Sequence, residues 1–319
     1  MVRKGACKVR PLLFCSLVVL LFLLSPLRAS IDIKDHKYLK TNALTIYYPA
    51  ALQGAAEEIT RRYPLIKARL EGLLEEVTAV QPVIILVKKH DDFVALSGKG
   101  PVVAYAQPRL NRIVIDYSQM RSGVMLEETL RHETAHLMLF EITGRRLPRW
   151  FDEGVSQWLG GGLSELIEGS GGAELLKKAV ISRQVIPLSS LGVFPSDRRG
   201  LLLAYEESKD FIEYIIKRYG KKRLISLLEH LRYEDNFGVA FKDIYHSDLK
   251  VVEQEWLKDI EKRATVFNYL SQHLYEIVFF VAALITFLGF IRMIIKKRRY
   301  RDEDYEDDEN SYDGRYPRE

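Results

Sequence analysis

The chain has 319 residues, 47% of them apolar and 28% charged, a globular composition that excludes wholesale disorder. Its net charge of +4 hides a segregation: Arg3, Lys4, Lys8 and Arg10 precede one apolar run, Lys296, Lys297, Arg298, Arg299 and Arg301 follow another, and acids crowd residues 302–319. Acidic and basic residues balance in the stretch between, which argues against nucleic acid as a partner and assigns the basic clusters to a membrane.

Residues 1–29 read as a signal peptide, with a basic start, an apolar stretch from Leu12 to Leu24 and a cleavage point after Ala29; an uncleaved anchor is the other reading. Both cysteines, Cys7 and Cys15, lie in this leader. Its removal leaves no thiol, which excludes disulfides, Cys-bound zinc and a Cys nucleophile together.

Residues 30–122 read as the α/β half of one domain and residues 123–266 as its helical half, an α+β chain in all. Ala43 to Pro49 predicts a strand. Ala55, Ile59, Tyr63, Ile66, Leu70, Leu73 and Val77 recur at helical spacing over 51–77, and Pro64 is expected to kink or divide that helix. Pro82 to Val87 is a buried strand. Val102–Ala106 and Arg112–Asp116 form a hairpin, its first strand at a sheet edge. The period turns helical from Leu126 and continues over 201–219, 221–232 and 248–264. Glycines at 160–162 and 169–172 bracket a flexible segment.

Residues 277–295 read as a single transmembrane helix, since Thr286 is the lone polar residue from Ile277 to Ile291. The Lys/Arg cluster behind it directs the C-terminus to the cytoplasm, so residues 30–275 lie outside. The tail, 296–319, is basic and then acidic, and its acidic part reads as disordered.

Chemistry concentrates in His132-Glu-Thr-Ala-His136. Histidines four apart share a helix face and reach one tetrahedral zinc ion, while Glu133, about 100° further round, approaches a metal-bound water. A third ligand is needed, and Glu153 in Trp150-Phe-Asp-Glu-Gly154 supplies it if the next helix returns antiparallel. Asp152 faces about 100° away, so at most one of the two is a ligand. His36, His90, His230, His246 and His273 lack ligand-like neighbours and read as non-catalytic.

These two motifs resemble the gluzincin metallopeptidases, in particular the peptidase MA-like family. Tyr105 to Pro108 with Ile113 to Asp116, then Ile186 to Leu191, Ala204 to Ser208, Tyr214 to Gly220 and Phe241 to Trp256, extend the resemblance over about residues 40–262. It implies a thermolysin-like zincin domain, with Zn(2+) held by His132, His136 and Glu153 and peptide bonds hydrolysed through a zinc-activated water with Glu133 as general base. Tyr205 is a candidate oxyanion donor, or a core residue at helical spacing with Ser208, Ile212, Ile215 and Tyr219. Aminopeptidases of this kind carry an acid on an upstream strand, and Gly98 to Gln107 has none, which favours an endopeptidase. The expectation is a membrane-anchored extracytoplasmic zinc metallopeptidase acting on peptide or protein substrates. The alternative is a catalytically silent fold serving as a membrane-tethered binding or scaffolding module.

Overall fold

The computed structural model describes residues 35–97, 102–161 and 172–310. The signal peptide, most of the glycine-bracketed segment and residues 311–319 lie outside the described residues. Two compact units divide at Trp256 and Leu257.

The first unit starts with β1 (Lys37–Lys40) and β2 (Thr45–Tyr48), then α1 (Gln53–Leu74), β3 (Val83–Val87) and α2 (His90–Ser97). A hairpin of β4 (Ala104–Gln107) and β5 (Arg112–Asp116) follows. The sheet order is β1-β2-β3-β5-β4. The central pairs β2–β3 and β3–β5 are parallel, and the outer pairs are antiparallel. Alternation sends Ile84, Leu86, Ile113 and Ile115 to one face and Ile85, Val87 and Val114 to the other, where Phe93 of α2 covers them. Burial on both faces is why β3 and β5 read as unbroken apolar runs.

Of the two outcomes expected at Pro64, division does not occur: helix α1 runs through it as one helix. That proline is exposed, so water can take the carbonyl its missing N–H leaves unbonded. The buried stripe ends at Leu74 rather than Leu73, because Glu75 turns left-handed at φ 56° and caps the helix; Val77 lies beyond it, exposed.

The helical part comprises α3 (Gly123–Thr143), α4 (Arg149–Gly160), α5 (Gly172–Ile181), α6 (Arg198–Tyr219), α7 (Lys221–His230), α8 (Phe237–Tyr245) and α9 (Leu249–Gln272). Ser122 caps α3 by accepting from Met125 N–H, and Gly144, at φ 68°, closes it. Helix α3 packs on α1 and β4, and α4 lies between α3 and α6.

In the second unit, α10 (Leu274–Asn310) carries a stretch, Leu274–Lys296, long and apolar enough to cross a membrane. Phe279, Ile285 and Phe287 there are exposed. The helix continues to Asn310, so the start of the acidic tail is helical where disorder was expected.

Candidate metal centre

The site is built on the antiparallel pair α3 and α4. His132 and His136 project from α3, and the Gly144 cap with Pro148 before α4 turns the chain back. The first turn of α4 is fixed by aromatic packing. Trp150 meets Phe211 edge-on at 5.3 Å and Phe237 at 5.5 Å, while Phe151 meets Phe237 at 4.9 Å. Glycine allows close approach on both sides of α4. A Cβ on Gly154 would stand 2.4 Å from the Ser208 carbonyl oxygen of α6, and one on Gly160 would stand 3.2 Å from the His132 backbone.

This packing brings His132, His136 and Glu153 together. Nε2 of His132 lies 3.1 Å from Nε2 of His136, and Oε2 of Glu153 lies 3.5 Å and 3.6 Å from those two nitrogens. Ligands about 2.0–2.1 Å from a tetrahedral zinc stand roughly 3.3–3.4 Å apart, so the triangle has the size of one face of such a site. Two imidazoles and one carboxylate also form a zinc donor set. The residues fit the metal.

Asp152 is adjacent but works differently. Its Oδ1 lies 3.1 Å from His136 Nδ1, and Ser156 Oγ lies 3.1 Å from the same nitrogen. A carboxylate on the far nitrogen fixes the tautomer that leaves Nε2 free to bind. The contacts of Asp152 and Ser156 depend on the pairing of two helices, and the sequence marks them only by their nearness to Glu153.

Electrostatics separate the groups further. Burial opposes charge on both histidines. The Glu153 hydrogen bond nevertheless raises His132, and Asp152 with Glu153 holds His136 well above the usual imidazole range. Burial would also raise Glu153, yet hydrogen bonds to both histidines pull it well below the usual carboxylate range. A metal cation there displaces the protons these groups share. Glu133, 4% exposed, is raised by burial, only partly offset by the two histidines and an Ala106 N–H. Its Oε2 is buried with no hydrogen-bond partner.

Tyr205 of α6 is 5% exposed and packs edge-on against Phe194 at 5.1 Å. Burial raises its hydroxyl, the Glu153 and Glu133 charges raise it further, and Arg149 opposes them. It is therefore both a core residue and a neighbour of the metal group. Of the other described histidines, His90 pairs with Asp116 and His230 with Asp243, and in the second unit His273 pairs with Glu276.

The family model of the peptidase MA superfamily matches residues 94–262, from α2 to α9 and including every residue of this centre. The chain belongs to the peptidase MA superfamily. Membership points to a zincin-type peptidase, a class that is typically metal-dependent. No curated protein matches the chain.

Proposed function

We propose that this peptidase MA member is a membrane-anchored zinc endopeptidase with a thermolysin-like catalytic domain. The observation that carries the reading is the His132, His136 and Glu153 triangle, sized for zinc, with the Glu133 carboxylate beside it. Zinc bound there supplies a polarised water and a positive charge opposite a reacting carbonyl. Glu133 takes a proton at its unpartnered Oε2 and returns it to the leaving amine. Burial keeps its pKa above the ordinary value, which suits both tasks. Tyr205 stays protonated and donates its O–H to the carbonyl oxygen as charge develops.

Substrate docking follows from the sheet. Among the described residues β4 is an edge strand, and Asp116 N–H donates to the Val103 carbonyl. Alternation then turns the backbone of Ala104 and Ala106 outward, where an extended peptide can add as a further strand. Ala106 N–H already reaches Glu133, so a peptide on that edge lies beside the base. Main-chain pairing is tolerant of sequence, and none of it requires a free substrate amine.

The apolar helix Leu274–Lys296 supports single-pass anchoring in the cell membrane, and the basic residues after it support a cytoplasmic C-terminus with the catalytic domain outside. The test uses the full chain in detergent with an unfolded protein as substrate. A chelator should abolish turnover and zinc should restore it. Glu133→Gln should keep stoichiometric zinc yet lose about 10²–10⁴-fold in turnover. Full turnover in Glu133→Gln would remove Glu133 as the base. Zinc binding with no turnover in the native chain would favour the silent scaffold.

A further inference from the structure

Arg149 is the first residue of α4, where the helix dipole disfavours a cation. Its contacts account for the placement. The Nε lies 3.6 Å from Glu153 Oε1, one turn along the helix, while the other oxygen, Oε2, is the one that faces both histidines. The guanidinium carbon lies 4.3 Å over the centre of the Phe194 ring, and the guanidinium sits close enough to the Tyr205 hydroxyl to oppose the rise in its pKa. Phe194 in turn packs on Tyr205.

Phe194 is itself held in place. The chain leading to it is pinned where Ile186 N–H donates to Glu207 Oε1 at 2.9 Å and Leu188 N–H donates to Glu253 Oε1 at 2.7 Å. The ring is 6% exposed, so the face that receives Arg149 does not swing into solvent.

We propose that Arg149 is a positioning residue that holds Glu153 with a single oxygen toward the metal and aims the Tyr205 hydroxyl at the same site. This rests on the function proposed above. A carboxylate free to rotate can bind a metal through both oxygens, filling the position a water needs. Arg149 on Oε1 opposes that rotation. The planar guanidinium can serve carboxylate and phenol at once while stacked on a ring, whereas an ammonium offers a point charge without the fork or the stack. An ordinary surface ion pair, by contrast, would leave the metal untouched.

Arg149→Met, Arg149→Lys and Phe194→Leu in the full-length chain test this. The readouts are zinc affinity by competition with a chromophoric chelator, the visible spectrum of the cobalt(II)-loaded protein, thermal unfolding, and the split between kcat and KM. Arg149→Met should weaken zinc binding about 10–100-fold and alter the cobalt spectrum. Arg149→Lys should recover much of the affinity but not kcat, with KM little changed. Phe194→Leu should fall between wild type and Arg149→Met. Wild-type zinc affinity and cobalt spectrum in folded Arg149→Met would overturn the proposal. If Arg149→Met does not fold, Arg149→Lys decides: a wild-type cobalt spectrum and kcat would overturn it equally. A wild-type chain that binds no zinc would instead overturn the proposed function, and this inference with it.

Discussion

Glu153 and Glu207 stand on neighbouring helices, both removed from bulk water, and their carboxyls go opposite ways. Burial pushes each upward. Glu153 ends far below the usual range because two imidazoles hydrogen-bond it. Glu207, fully buried, receives the Ile186 N–H on one oxygen, has Oε2 unpartnered and feels the Glu253 charge, so it is pushed up to about 8. Burial sets the penalty; the partners decide whether the charge survives it. Glu153 is thereby suited to a cation, and Glu207 to a backbone clamp.

The largest effect should come from removing the charged member. Glu153→Ala should lower zinc affinity by at least about 100-fold, since a ligand is lost. Asp152→Ala should cost about 10-fold and leave zinc bound, because Asp152 orients His136 through Nδ1. Metal analysis and chelator competition on the full chain separate them. Equal losses, or loss confined to Asp152→Ala, would mean that the other carboxylate is the ligand.

How much of this contrast could be read from the sequence depends on reach along the chain. His132, His136 and Glu153 were legible because helical spacing fixes the first two and a short turn limits where the third can go. Helices α3 and α6 were legible from long periodic runs. The strand β1 was not, being four residues, mostly exposed, with a lysine at each end. Neither was α2, whose eight residues are too few for a period to emerge. The Arg149–Glu153 pair has a readable i,i+4 spacing, but nothing local announces Phe194 or the clamp on Ile186. Those contacts join segments far apart in sequence. Tyr205 was legible as a dilemma, and packing resolves its position: it is in the core and beside the metal group together.

The neutral member should respond more modestly, and through pH. An unfolded Glu207 titrates near 4.5 and the folded one near 8. Between those values the folded state binds more protons than the unfolded state. The stability contributed is therefore full below about pH 4.5, falls as pH rises, and levels off above about 8, with a slope of at most ~1.4 kcal/mol per pH unit. Glu207→Gln keeps the shape and the acceptor for Ile186 N–H while removing the titration. Its unfolding free energy, measured from pH 5 to 8, should show a flatter slope than wild type and a gain of about 3–4 kcal/mol at the upper end. Identical slopes would show that Glu207 is already ionised at pH 5.

The smallest effects should arise where the two carboxylates' helices touch. Gly154 follows Glu153 directly, and an added Cβ would meet Ser208 backbone oxygen at 2.4 Å and Ile212 Cγ1 at 2.7 Å. Ser208 in turn follows Glu207, so Gly154→Ala must push α6 away from α4 between the two acids. Overpacking of this kind costs about 1–3 kcal/mol. Gly160→Ala is the control at the other end of α4. Its Cβ would stand 3.2 Å from the His132 backbone, a contact relieved by a few tenths of an ångström, so its cost should stay under about 1 kcal/mol. Gly154→Ala should change the pH slope that Glu207 imposes as well as zinc affinity, because Ser208 and Glu153 move with the helices. Gly160→Ala should leave the pH slope alone and touch only the metal, through His132. Denaturant unfolding at pH 5 and pH 8, with zinc affinity measured beside it, reads both. If Gly154→Ala proves as stable as wild type, α4 and α6 do not meet so closely there, and the two carboxyls are independent of one another.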